Sequence, residues 1–229
     1  MGNYIYQRIH GHIIVSIDGR QCLLDTGCPF SLGLYPIRMH GREFEVHDAY
    51  LDITCDYLSQ QIGLTIEAVI GADILEHFTL SIHPTEQMVQ FQDSTPAGDI
   101  VLPIRNFQGS PILRAALAGR VISAALDTGS PLSFLEPELL AGHEPFAEME
   151  EFHPVVGYFL TPVYRLPLDL GGYSRELNFG PLPSEIACCA QAANVQALIG
   201  TELLRHFSLS IAVNDNLMVM NLPIGRAAA

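Results

Sequence analysis

The sequence predicts an all-β chain of two pseudo-symmetric lobes, each with one short helix, and three observations predict it. The tetrapeptide Leu24-Asp25-Thr26-Gly27 recurs as Leu126-Asp127-Thr128-Gly129. Each copy closes a pair of apolar runs separated by a glycine: Ile13 to Gly19 then Cys22 to Leu24, and Leu113 to Gly119 then Ala124 to Leu126. That is the pattern of two strands joined by a tight turn. Downstream, Val69 to Ile82 reappears as Leu198 to Ile211, matching Ile70-Gly71 with Ile199-Gly200 and His77-Phe78 with His206-Phe207. A repeat in this register makes each half one structural unit.

In chain order, residues 12 to 24 read as a hairpin that delivers Asp25 to a loop, where Gly27 needs the backbone freedom that a side chain restricts. Pro29 and Ser31 follow at the same offsets as Pro131 and Ser133 in the second copy. Gly41 to Val46 starts a further strand, and Ile62 to Val69 reads as the strand leading into Ile70-Gly71. The spacing of Ile74, Leu75 and Phe78 suits a short helix packed by one face, with Leu80 to Ile82 and Met88 to Phe91 as a closing hairpin. Asp93 to Asp99 is polar, contains Pro and Gly, and lies between the repeats, so it reads as the interlobe linker. The lobes are then 1–97 and 98–229.

The second half repeats this plan with an insertion. Asp25 precedes Gly71 by 46 residues and Asp127 precedes Gly200 by 73, and matching Arg42-Glu43-Phe44 to Arg175-Glu176-Leu177 places the excess at about 148–170. The insert holds two strand-like runs, Val155 to Leu160 and Val163 to Leu168. A hairpin present in only one lobe is a candidate lid, or flap, over a shared site; the first lobe is too short for one.

Composition sets outer limits. With 229 residues, 48% of them hydrophobic, the chain can bury a real core. A formal net charge of -14 argues against nucleic acid or an anionic membrane surface as partner. Cys22, Cys28, Cys55, Cys188 and Cys189 are an odd number without the spacing of a disulfide framework, which fits a reducing compartment. No apolar stretch at the N-terminus or elsewhere has the length of a signal or a membrane span. The expectation is a cytoplasmic, soluble, monomeric protein.

Two Asp-Thr-Gly loops brought together about a pseudo-twofold axis place two carboxylates in contact. Like charges that close cannot both ionise, so the pair shares a proton. The ionised member can take a proton from water while its protonated partner hydrogen-bonds a substrate carbonyl.

On these residues the chain resembles the pepsin-like and retropepsin superfamily of aspartic proteases, and looks like two retropepsin-type lobes fused in one chain. The match rests on Leu24 to Gly27 with Ser31, Leu126 to Gly129 with Ser133, and the glycine signatures Val69-Ile70-Gly71 and Leu198-Ile199-Gly200. The resemblance implies an acid-protease fold, an aspartic endopeptidase acting on peptide or protein substrates without cofactor or metal, and Asp25 and Asp127 as the catalytic pair. It implies that Thr26 and Thr128 cross-brace the two loops through the opposite backbone. Gly27 and Gly129 let N–H groups approach the carboxylates, and Ser130 supports the loop. Tyr158 and Tyr164 become candidates for a flap tyrosine covering the dyad. The pattern departs from viral retropepsins in one respect. The second residue after the glycine, there often an aspartate that grips substrate backbone and pairs with an arginine after the Ile-Gly motif, is here Pro29 or Pro131, opposite Ala72 and Thr201. Proline removes a backbone donor as well. No stretch before Ile13 is long enough for an inhibitory pro-segment.

Other residues have plainer readings. Cys188-Cys189 lacks further ligands at metal-site spacing and reads as buried apolar thiols. His10 and His12 alternate as strand neighbours without a carboxylate or cysteine partner, and read as surface or edge-strand histidines. His77 and His206 recur at equivalent places, which points to a structural role. Two alternatives stand beside the endopeptidase: a peptide-binding module of the same fold that does not cut, and a scaffold in which the tripeptides are only turns.

Overall fold

The computed structural model describes residues 2–222, which form an all-β architecture with a few short helices. The same pairings occur in both halves. In the first, Gly2–Ile9, His12–Ile17 and Arg20–Leu24 pair in succession. Ala68–Ile70 then runs parallel to Arg20–Leu24 with Ile70 opposite Leu24, and Leu32–Gly33 joins it antiparallel. In the second, Ile100–Phe107, Ser110–Leu117 and Arg120–Leu126 pair in succession, Ala197–Ile199 runs parallel with Ile199 opposite Leu126, and Ser133–Leu135 joins antiparallel. The hairpin turns have a local cause. Asp18-Gly19 and Ala118-Gly119 hold positive φ at both central positions (53° and 77°, 48° and 82°), the turn whose twist matches that of the flanking strands.

His12–Ile17 and Ser110–Leu117 bury both faces over most of their length, which explains their near-continuous apolar character. Ile13, Val15 and Ile17 face a main core shared with Leu113, Ala115 and Leu117 of the second half. Ile14 faces a separate cluster with Leu23, Leu32 and Val69, and Ile112 another with Leu132 and Phe134. Each half thus has its own small apolar cluster besides the common core.

A six-stranded antiparallel sheet joins the halves, in the order Gly2–Ile9, Met88–Gln92, Thr79–His83, Ser208–Ala212, Leu217–Asn221, Ile100–Phe107. Its central pairing is self-complementary under the repeat: Ser81 faces Ser210, and their hydroxyls lie 2.7 Å apart, buried. The expected linker is tied to the second half, where Thr95 Oγ1 donates to Asp215 at 2.7 Å and the Leu222 N–H donates to Asp99 at 3.0 Å.

Three elements differ from the sequence expectation. Ile62 to Val69 is not one strand: helix α1 (Cys55–Ile62) ends there and only Ala68–Ile70 is extended. The signals for α1 are local, since the Thr54 side chain accepts from the Tyr57 N–H and Gly63 closes the helix at φ 72°. The short helices after the Ile-Gly motifs are present as α2 (Ala72–Leu75) and a 3-10 turn, Thr201–Arg205. A further helix, α3 (Ser184–Ala192), buries Ile186 and Ala190 and was not anticipated. In the insert a hairpin forms from Ala147–His153 and Gly157–Leu170. Both strand-like runs therefore lie mostly on its second arm, because the chain turns at Pro154 to Val156, ahead of them. Among the described residues no helix is long and apolar enough to cross a membrane.

Candidate active site

Both Asp-Thr-Gly loops are fixed by the same hydrogen bonds. The Asp25 N–H donates to Ile70 O at 3.0 Å and the Ala72 N–H to Cys28 O at 2.8 Å; in the other half the Asp127 N–H donates to Ile199 O at 2.9 Å and the Thr201 N–H to Ser130 O at 2.8 Å. Ser31 Oγ accepts from the Gly71 N–H at 2.8 Å, and Ser133 Oγ from the Gly200 N–H at 3.0 Å. The pairs diverge one step out. Ser31 donates to Asp73 at 2.6 Å, whereas Glu202, its counterpart, turns to Asn178.

The two loops meet reciprocally. Thr26 Oγ1 donates to Leu126 O at 2.7 Å and accepts from the Thr128 N–H at 3.0 Å; Thr128 Oγ1 donates to Leu24 O at 2.9 Å and accepts from the Thr26 N–H at 3.0 Å. All four bonds are buried, so neither loop can move without leaving polar groups unpaired. Close approach requires glycine after each threonine: a Cβ on Gly27 would lie 2.5 Å from Asp127 Cγ, and one on Gly129 would overlap Asp25.

Asp25 and Asp127 are therefore held beside each other. Asp25 Oδ1 accepts from the Gly27 and Cys28 N–H groups, both at 2.9 Å, and Asp127 Oδ1 from the Gly129 N–H at 2.9 Å. Burial raises both carboxyls above their ordinary range, Asp127 the further because the Asp25 charge adds to the effect. One proton shared by the pair follows from that contact, because two like charges so close cannot both ionise. Ser130 Oγ donates to Leu132 O at 2.7 Å, bracing its own loop.

The aspartates open into a cavity of about 280 Å³. Its walls are apolar and come from both small clusters, with Leu23, Leu58 and Val69 on one side and Phe134, Ile186 and Leu198 on the other. Helices α1 and α3 supply much of this wall, and neither was foreseen as part of the site. Their apolar i, i+4 pairs, Leu58 with Ile62 and Ile186 with Ala190, are the signal that could have found them.

The hairpin of the insert lines the cavity with Phe152, His153, Pro154 and Val155. Neither candidate tyrosine lines the cavity. Tyr164 packs against the main core, and Tyr158, 54% exposed, donates its hydroxyl to Gln61 O at the end of α1. Tyr57 on α1 donates to Pro154 O at 3.5 Å, and the Phe152 ring lies 6.2 Å from that of Tyr57. This hairpin is thus clasped to the first half. Replacing both Tyr57 and Tyr158 by Phe is expected to speed amide exchange across residues 152–158 by roughly tenfold, with the central sheet unchanged. Unchanged flap exchange would show that the clasp does not hold it. Burial also pushes Glu151 on this hairpin up to about 7.

Several plainer readings are corrected. His12 is buried rather than at the surface and lines the cavity, because its strand has neighbours on both sides; His10 is exposed in the turn before it. Cys188 and Cys189 are exposed, since α3 turns Ile186 and Ala190 inward instead, and Cys189 reaches the cavity edge. His77 and His206 share a backbone role, each N–H closing the turn after the Ile-Gly motif, to Ile74 O at 3.1 Å and Leu203 O at 3.0 Å. Among the described residues no group of three or more His, Cys, Asp or Glu is placed to hold a metal.

Among solved structures the chain is similar to retropepsin-like aspartic proteases. A retropepsin-like aspartic protease from Rickettsia conorii shares 18% identity over 56% of this chain and 94% of its own, with a TM-score of 0.40. The Simian Foamy Virus (mac) protease shares 19% identity over 40% of this chain and 88% of its own, with a TM-score of 0.31. A foamy viral protease-reverse transcriptase shares 14% identity over 48% of this chain and only 12% of its own length, with a TM-score of 0.32. No protein-family profile matches the sequence, and no curated protein matches it.

Proposed function

We infer that the chain is an aspartic endopeptidase whose catalytic pair is Asp25 and Asp127, one from each of two lobes, 1–97 and 98–229. The observation that carries this reading is the reciprocal contact of the two loops, with Gly27 against Asp127 and Gly129 against Asp25. Asp25, with two N–H donors, stays ionised and takes a proton from a water held between the carboxyls. Protonated Asp127 hydrogen-bonds the substrate carbonyl oxygen as the water oxygen attacks the carbonyl carbon. The tetrahedral intermediate then breaks its C–N bond as a proton passes to the leaving amine. Apolar walls suit apolar side chains flanking the cut bond. Both aspartates lie on one chain, so a single molecule completes the site.

A diverse peptide library incubated with the protein over about pH 3.5 to 7.5 tests the reading. Cleavage is expected to follow a bell, rising as Asp25 ionises and falling as Asp127 loses the shared proton. Absence of cleavage at every pH overturns it. Peptide binding without turnover would select the non-catalytic binding module, which the missing N–H groups of Pro29 and Pro131 favour.

A further inference from the structure

An extended peptide in a closed cleft brings main-chain N–H and C=O groups that need partners once water is excluded. The aspartate loops supply few. Pro29 and Pro131 have no N–H, the N–H groups of Gly27, Cys28 and Gly129 are bound to the carboxylates, and the Ser130 hydroxyl is bound to Leu132 O.

His12 has capacity to spare. It follows the His10-Gly11 turn, which is docked on the second half: a Cβ on Gly11 would lie 2.5 Å from Pro131 Cβ, and Thr201 Oγ1 donates to Gly11 O at 2.8 Å. Arg8 secures the same place by donating to Thr201 O at 3.1 Å. The imidazole that follows lines the cavity beside that loop, is only 8% exposed, and carries a buried Nδ1 with no hydrogen-bond partner among the described residues. A polar atom left unpaired at that depth calls for an explanation, and an absent ligand is one. The repeat supplies a counterpart. Ser110 follows the Gln108-Gly109 turn and lines the same cavity. Its turn docks against Ala72, the residue equivalent to Thr201.

We propose that His12, with Ser110 as its counterpart, grips the main chain of the bound peptide and supplies hydrogen bonds that the proline-bearing loops lack. This rests on the endopeptidase reading. Burial lowers the imidazole to about 4, partly offset by hydrogen bonding with the Gly129 backbone, so above that pH the ring is neutral and its unpartnered Nδ1 suits an amide rather than a charged group.

The test compares His12→Phe and His12→Asn with wild type on one cleaved peptide and on a series in which each amide is replaced in turn by an ester, which removes the N–H and weakens the carbonyl as acceptor. His12→Phe is expected to raise KM roughly tenfold with little change in kcat, and His12→Asn, which keeps a polar atom near the Nδ1 position, to restore most of it. One ester position should weaken wild type but not His12→Phe. A His12→Phe variant that folds and matches wild type in KM and ester profile overturns the proposal. So does a loss confined to peptides with a polar side chain at one position, which would assign His12 to side-chain selection. If His12→Phe does not fold, the ester profile of His12→Asn decides: no ester position weakening either it or wild type sinks the idea. Wild type that neither cuts nor binds any peptide removes the endopeptidase reading itself, and this inference with it.

Discussion

Asp25→Asn and Asp127→Asn are each expected to lower peptide cleavage by about 10² to 10⁴-fold or more, the range associated with losing a positioned acid or base. Removing either member is expected to be as damaging as removing the other, because the proton belongs to the pair. Stability should move the opposite way. A carboxyl whose folded pKa is raised holds its proton more tightly folded than unfolded, so folding weakens as pH rises above the ordinary carboxyl range. The burden grows until the pH passes the folded pKa and is constant beyond it. An asparagine carries no such burden. Asp127→Asn, at the more strongly raised site, should therefore melt higher than wild type at pH 7, with the difference shrinking as pH falls toward 4. Thermal melts at several pH values, run beside initial cleavage rates, check both halves. Retained cleavage in either variant removes the dyad, and a lower melting temperature for Asp127→Asn at pH 7 removes the charge repulsion.

Much of the architecture was legible because the chain states it twice. Once Leu24 to Gly27 and Leu126 to Gly129 are aligned, Ser31 with Ser133 and Gly71 with Gly200 fall into register, and the structure gives each pair the same hydrogen bond. Repetition has no power where the halves diverge. The insert was locatable by length, but its turn was not. Val155 and Val156 read as strand, while the φ of 84° at Gly157 marks the chain reversal. Helix α1 was legible from its cap residues Thr54 and Gly63, the second of which lies inside the run that reads as strand from Ile62. His12 is a different kind of miss. A histidine beside an exposed turn reads as surface, and only the docking of that turn against Pro131 and Thr201, across some 120 and 190 residues of sequence, buries it.

Thr128→Val tests whether the two loops are locked to each other. Valine keeps the shape of threonine but neither donates to Leu24 O nor accepts from the Thr26 N–H, both of which lie in buried bonds. Leaving a buried polar group unpaired costs about 1–3 kcal/mol, so two such groups imply a loss of roughly 2–5 kcal/mol. For a chain of this size that is a fall of about 5–15 °C in melting temperature. Cleavage should fall with it, since the aspartates sit on the backbone that these bonds hold. Thr128→Ser, which keeps the hydroxyl, is expected to recover most of both. Thr26→Val should behave alike, because its bonds to Leu126 O and the Thr128 N–H are the mirror of the first pair. The double variant discriminates further. Once one pair of bonds is gone and the loops part, water can reach the groups left by the second substitution, so the combined loss should be smaller than the sum of the two. Strict additivity would mean that the two pairs of cross-loop bonds act independently, and that the contact between Asp25 and Asp127 is held by the central sheet instead.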